Sequence, residues 1–170
     1  QQLLDRDAPR GVLAIEDHLT SMTRSGRFGI SQVNVVGISG LINWGTARGL
    51  VGMDVSDREH ILAHLRRASP GTLFLSRPRI ALTTGGWSIF ASFPIMDSQD
   101  RFVAVGVGVM DAVALSRSLG DNGSIPGRVV VLRRMSDGAI MARSRNPREY
   151  LGRQANRDHA ILAAARHAPS

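Results

Sequence analysis

The chain contains no cysteine, which removes disulfides, thiol catalysis and thiolate metal sites. That absence fits an oxidising compartment without proving one. Lysine is also missing: all 21 basic residues are arginine, set against 14 acidic ones, for a net charge of +7. Nucleic-acid binding would need those arginines gathered, with aromatic rings to stack on bases. Only 5% of residues are aromatic, and the densest basic pairs, Arg66-Arg67 and Arg133-Arg134, extend into no long run. The arginines therefore read as scattered, solvated surface, and no nucleic-acid partner is expected. No apolar run approaches the roughly 20 residues that cross a bilayer. The opening Gln1-Gln2-Leu3-Leu4-Asp5 lacks the basic, apolar and small-residue zones of a signal peptide. The expectation is a cytosolic protein or a domain belonging to something larger.

What is present is enough for a real core: 170 residues, 43% of them hydrophobic, with a mean hydropathy near zero. Residues 52–111 are the most informative stretch. Ser56-Asp57-Arg58-Glu59 has the form of a capping box, in which Ser56 accepts from the Glu59 amide and the Glu59 carboxylate reaches back. Ile61, Leu62, Leu65 and Ala68 then give a helix over 56–68 one face to bury, and Pro70-Gly71 ends it. Strand-like runs follow over 72–76, 87–95 and 102–109, separated by short polar turns, which predicts adjacent antiparallel strands. Upstream, Val12, Ile15, Leu19 and Met22 fall at helical spacing, and two runs over 33–38 and 41–44 form a hairpin around Ser39-Gly40. Downstream, a short helix over 112–119 precedes a second hairpin, 128–132 with 139–142, around Ser136-Asp137-Gly138. Helix, hairpin, helix and strand run make an α+β order: a PAS-like module whose long N-terminal helix packs on a central, mostly antiparallel sheet of about five strands.

These residues resemble a known family. Gly52-x-Asp54-x-Ser56-Asp57-Arg58, then Pro78, Gly86-Trp87, Pro94-Ile95-x-Asp97, Phe102-Val103-x-Val105-Gly106 and Asp111 look like the membrane-distal half of a double Cache domain. Asp137-Gly138-x-Ile140-Met141-Ala142-Arg143, with Pro147 and Gly152 behind it, is similar to the strand that closes such a module. The resemblance covers residues 33–152. It implies a small-molecule sensor on the periplasmic or extracellular face of a bacterial inner membrane. The effector of such a receptor is most often a diguanylate cyclase, histidine kinase or chemoreceptor. The sensor itself would be no enzyme and need no cofactor, would meet the membrane only through segments outside these residues, and could form a homodimer. The alternative is a structural dimerisation domain without a ligand. The linear division becomes an N-terminal helix over 1–32, the sensor module over 33–151, and residues 152–170 as the start of a second module or a connecting helix. For that last segment there is an internal clue. Gly152, Arg157, His159, Ile161-Leu162-Ala163 and Pro169 echo Gly52, Arg58, His60, Ile61-Leu62-Ala63 and Pro70, though an Ala/Arg-rich amphipathic helix would look alike.

Seven residues are candidates for ligand binding: Arg58, His60, Arg77, Arg79, Trp87, Phe93 and Asp111. Arg58 offers a guanidinium fork to a carboxylate or other small anion, or else pairs with Asp54 or Asp57. In amino-acid-binding members of the family, an arginine followed by x-Trp-Tyr, a tyrosine five residues earlier and a later aspartate grip the ligand. The resemblance places Arg58 and Asp111 at the arginine and aspartate positions, but Met53 replaces the tyrosine and His60-Ile61 the Trp-Tyr pair. Asp111 has a second reading, as the N-cap of the helix that starts at Ala112. Arg77, Arg79, Trp87 and Phe93 lie on strands that would wall a pocket, with the face of each left open because register is not fixed by sequence. His60 and His64 stand four apart, a metal-compatible spacing, yet no third ligand accompanies them, so they read as a solvated helix face and no metal is expected. Gly106-x-Gly108 lacks the further glycine of a phosphate loop, and Ser39 lacks the Gly-x-Ser-x-Gly elbow. The sequence carries no catalytic constellation.

Overall fold

In a computed structural model of the chain, residues 20–21, 23–24, 29–47, 49–121 and 128–154 are described. The expected helix over 1–32 lies almost wholly outside them, as does most of the 152–170 echo. Strands β1 (Ile30–Gly37), β2 (Ile42–Gly45), β3 (Phe74–Leu75), β4 (Arg79–Ile80), β5 (Trp87–Met96) and β6 (Phe102–Asp111) form an antiparallel sheet. Its order is β2-β1-β6-β5-β3, and β4 also pairs with β5. A separate two-stranded sheet joins β7 (Val131–Arg133) to β8 (Ile140–Arg143). Three helices lie wholly within the described residues: α1 (Glu59–Arg66), α2 (Ala112–Asp121) and α3 (Pro147–Tyr150); residues 20–21 and 23–24 are also helical.

The chain forms two compact units, one made of residues to Ser76 with Phe90–Met110, the other of Arg77–Ile89 with the residues from Asp111 on. In the first unit the strand alternation sorts the side chains into two faces. Val36, Asn34 and Gln32 on β1 oppose Val105, Val107 and Val109 on β6, and all six are buried. Ile42, Leu50 and Ile61 of α1 join them in one apolar cluster. Two amides sit on this face as well. They satisfy one another, Gln32 Nε2 donating to Asn34 Oδ1 at 2.9 Å, and the Asn34 carboxamide lies over Gly45, where a Cβ would come within 2.4 Å of it. The opposite face is thinned by glycine: Phe93 covers Gly106 so closely that a Cβ there would meet the ring at 2.4 Å.

The second unit buries Ile89, Ile140, Met141 and Leu151, and polar contacts tie its elements together. Ser116 on α2 donates to Ala112 O and accepts the Arg143 amide of β8 at 3.1 Å, tying helix to strand. The Ser136-Asp137-Gly138 turn joins β7 to β8 as the sequence predicts. Its Asp137 accepts from Arg134 Nε at 3.0 Å, Arg134 Nη2 at 2.5 Å and Arg77 Nε at 2.6 Å. The Arg134 bond, chiefly, holds the Asp137 carboxyl far below the usual carboxylate range, against an opposing push from burial.

A backbone corner occurs once in each unit. In the first, Gly52 N donates to Ile42 O, Ile42 N to Met53 O and Met53 N to Leu50 O; in the second, Gly152 N donates to Ile140 O, Ile140 N to Arg153 O and Arg153 N to Tyr150 O. Both glycines have positive φ, 88° and 76°.

Candidate functional site

Helix α1 begins later than its capping box predicts. The Ser56 amide donates to Asp54 Oδ1 at 2.9 Å, a bond that holds the Asp54 carboxyl below its ordinary value. This aspartate turn competes with the Ser56 cap. Ser56 is also packed down on Gly40, where a Cβ would sit 2.3 Å from the Ser56 Cβ. The chain therefore enters the helix only at Glu59, with Arg58 as an extended N-cap residue that makes no side-chain cap bond. Its guanidinium takes the ion pair that the sequence left open, Nε lying 3.0 Å from Asp57 Oδ1, with the arginine side chain 22% exposed and the aspartate 77%.

The buried face of α1 is not the expected one. His60, Ile61 and His64 are its buried residues, whereas Leu62 and Leu65 are only partly covered. The two histidines thus lie inside and not on a solvated face. His60 stacks flat on Phe90 of β5, with centroids 4.5 Å apart and planes 7° from parallel. His64, 2% exposed, places Nε2 3.0 Å from Ser92 Oγ, and that hydroxyl donates to the His60 carbonyl at 2.8 Å. A hydroxyl has one proton, and here the carbonyl takes it. The hydrogen of the His64–Ser92 bond must then sit on Nε2, which fixes the neutral tautomer. Burial lowers the His64 pKa below its ordinary value, more than hydrogen bonding to the Ser92 backbone raises it. Among the described residues no group of three or more histidines and carboxylates could hold a metal ion.

The remaining candidates separate. Phe93 belongs to the first unit but has the parity opposite to Phe90 and Ser92, so it faces away from α1 and is 49% exposed. Of the two faces left open for Phe93, the structure gives the one turned away from α1, so Phe93 lines no pocket beneath that helix. Arg77, Arg79, Trp87 and Asp111 belong to the second unit. Arg77 is engaged by Asp137. Arg79 lies exposed on β4 opposite Ser88, and half-buried Trp87 lies opposite Ile80. Asp111 spends Oδ1 on the amides of Val113 and Ala114, at 2.8 and 3.0 Å, and so caps α2. An open hollow of ≈ 320 Å³ in this unit is lined by Val113, Asn146, Pro147, Arg148 and Glu149, none of them a candidate.

Sequence reasoning missed Ser92, Phe90, Asp137 and Arg134. A signal for Ser92 existed: Ser88 and Ser92 share one parity on a strand with no other polar residue.

No family model matches the chain, and no curated protein matches it by sequence. Solved structures do match. The extracellular domain assigned to a histidine kinase, rpHK1S-Z16, aligns over 96% of this chain with a TM-score of 0.70 and 20% identity. An extracellular ligand-binding receptor from Desulfohalobium retbaense aligns over 90% (TM-score 0.63, 18% identity), and the ligand-binding domain of the Pseudomonas fluorescens chemoreceptor CtaA, in complex with L-serine, over 84% (0.62, 18%). The chain spans 63%, 27% and 58% of those three chains' own lengths. It has the fold of extracellular sensor domains, the α+β architecture that the sequence resemblance implies.

Proposed function

We propose that the chain is the extracytoplasmic small-molecule sensing part of a bacterial transmembrane receptor. The observation that carries this reading is the shared fold: a six-stranded sheet with α1 docked on one face, aligned over nearly the whole chain with extracellular sensor domains. The part itself performs no chemistry, and the effector of the intact receptor would be a histidine kinase, a chemoreceptor or a diguanylate cyclase. Residues 33–151 would form the first sensor module, and the recurrence of the Gly52 corner at Gly152 supports a second module starting near 152. The helical spacing over 12–22 would serve a homodimer.

For ligand contact we favour Arg58 and a small carboxylate or anion. Arg58 is the arginine nearest the start of α1, and it pairs with the exposed Asp57. An exposed ion pair is worth at most about 1 kcal/mol, so a buried ligand carboxylate would displace Asp57 readily. The amino-acid grip of the family is disfavoured because Ile61, at its second aromatic place, is wholly enclosed in the core. His60, Arg77, Arg79, Trp87, Phe93 and Asp111 remain secondary candidates. Thermal melts against mono- and dicarboxylates and amino acids test the proposal. A small carboxylate should raise the melting temperature of the wild-type chain, and Arg58→Ala should remove that shift while leaving the ligand-free melt within a few degrees. A shift retained in Arg58→Ala would reject the assigned residue. No shift with any compound would favour the structural dimerisation domain, a reading consistent with the close filling under α1 by His60, Ile61 and His64.

A further inference from the structure

The two histidines beneath α1 have no use in the reading above, and their surroundings are unusual. Both face the sheet and are nearly enclosed, 5% and 2% exposed. The strands on that side carry no ionisable residue: β1, β2, β3 and β5 have none, and β6 has none before Asp111, whose carboxylate is committed to the α2 amides. On α1 and its entry, the charged groups Asp57, Glu59 and Arg66 are exposed, and Arg58 is paired with Asp57. Asp54 is exposed and bound to the Ser56 amide, and Arg67 is exposed beyond the helix. The ion pairs Arg58–Asp57, Arg77–Asp137, Arg101–Asp97 and Arg134–Asp137 do not include His64.

We propose that His64 makes the docking of α1 sensitive to protons, so that acidification is an input to this domain independent of any small-molecule ligand. The chemistry is a single protonation. Nε2 already carries its hydrogen toward Ser92, so an added proton must go to Nδ1 of the same ring. That leaves an imidazolium between a helix and a sheet with no carboxylate to neutralise it, while Ser92 still accepts the Nε2 hydrogen and still donates to His60 O. The charged form is accommodated only when α1 lifts from the sheet and the ring reaches water. Acid therefore shifts the population from docked to undocked α1. The sign follows from proton counting: the undocked state binds the extra proton first, so docking is lost as pH falls through and below about 6.5.

The test is amide hydrogen exchange of Leu62–Arg66 in the intact chain from pH 7.5 to 5.0, corrected for intrinsic rates. The α1 opening constant should rise with acid, by at most tenfold per pH unit for one proton. His64→Gln should flatten the profile, since its side-chain amide can still donate to Ser92 but cannot titrate. Wild-type exchange that is independent of pH, or a His64→Gln profile as steep as the wild type, would overturn the proposal. If His64→Gln does not fold, nitrogen NMR of the wild-type imidazoles decides. His64 should be the Nε2–H tautomer at pH 7.5 and titrate below the ordinary histidine value together with the α1 amides. A midpoint at or above that value, or α1 amides that do not move with it, would refute proton sensing.

Discussion

Asp137 shows how one side chain can carry the polar structure of a unit. It receives three arginine hydrogen bonds and a fourth from the Ala139 amide at 3.1 Å, and its side chain is only 10% exposed. Replacing it by asparagine removes the carboxylate that the 13%-exposed Arg134 pairs with. Loss of one partner of an enclosed pair costs more than the pair contributes, because the remaining charge stays desolvated. Asp137→Asn should cost roughly 3 kcal/mol in urea denaturation. The acid dependence provides a second readout. A carboxyl depressed in the folded state contributes stability that is fully present above its unfolded value and lost as pH falls through and below it, near pH 4 here. The wild type should therefore lose stability between about pH 5 and 2 more steeply than Asp137→Asn. Parallel acid profiles would show that this carboxylate is not the group responsible.

At the scale of elements, β5 and β6 were legible from sequence because period-two patterning and a polar turn are local signals. The start of α1 was not. Ser56 has every local mark of an N-cap, and only the packing of Ser56 on Gly40, from another part of the chain, lets Asp54 take its amide instead. The buried face of α1 was misjudged for the same reason. Polar His60 and His64 are made burial-worthy by Phe90 and Ser92, about thirty residues away, and no helical period reports such partners. Two-residue β4 is shorter than any pattern that sequence can display. Asp111 is the contrasting case, since a cap needs only its own next three residues. Asp111→Ala should destabilise by about 1 kcal/mol, and Asp111→Asn by only a few tenths. Equal losses in chemical denaturation would mean that the charge, and not the acceptor, is what this position supplies.

At the scale of the molecule, the two units repeat one corner exactly one hundred residues apart, at Gly52 and Gly152, with the same three backbone hydrogen bonds. The sequence echo hinted at this but could not separate a repeat from two similar amphipathic helices. The recurring hydrogen bonds belong to the strand-to-corner ladder before the helix, so they support the proposed second module on grounds separate from the helix likeness. The two corners differ in what surrounds them, and this permits a graded test. At Gly52 an added Cβ would meet nothing within 4 Å, so Gly52→Ala bears only the left-handed backbone cost, roughly 1–2 kcal/mol. At Gly152 the same Cβ would lie 2.8 Å from the Pro78 carbonyl oxygen and 3.6 Å from the Trp87 ring. A carbonyl held in the chain cannot swing aside as a long side chain can, so overpacking adds a further cost of about 1–3 kcal/mol. Gly152→Ala should thus unfold at lower denaturant than Gly52→Ala, with the Trp87 environment disturbed in its fluorescence. Identical losses in the two variants, with unchanged tryptophan emission, would show that the second corner is not closed against Pro78 and Trp87.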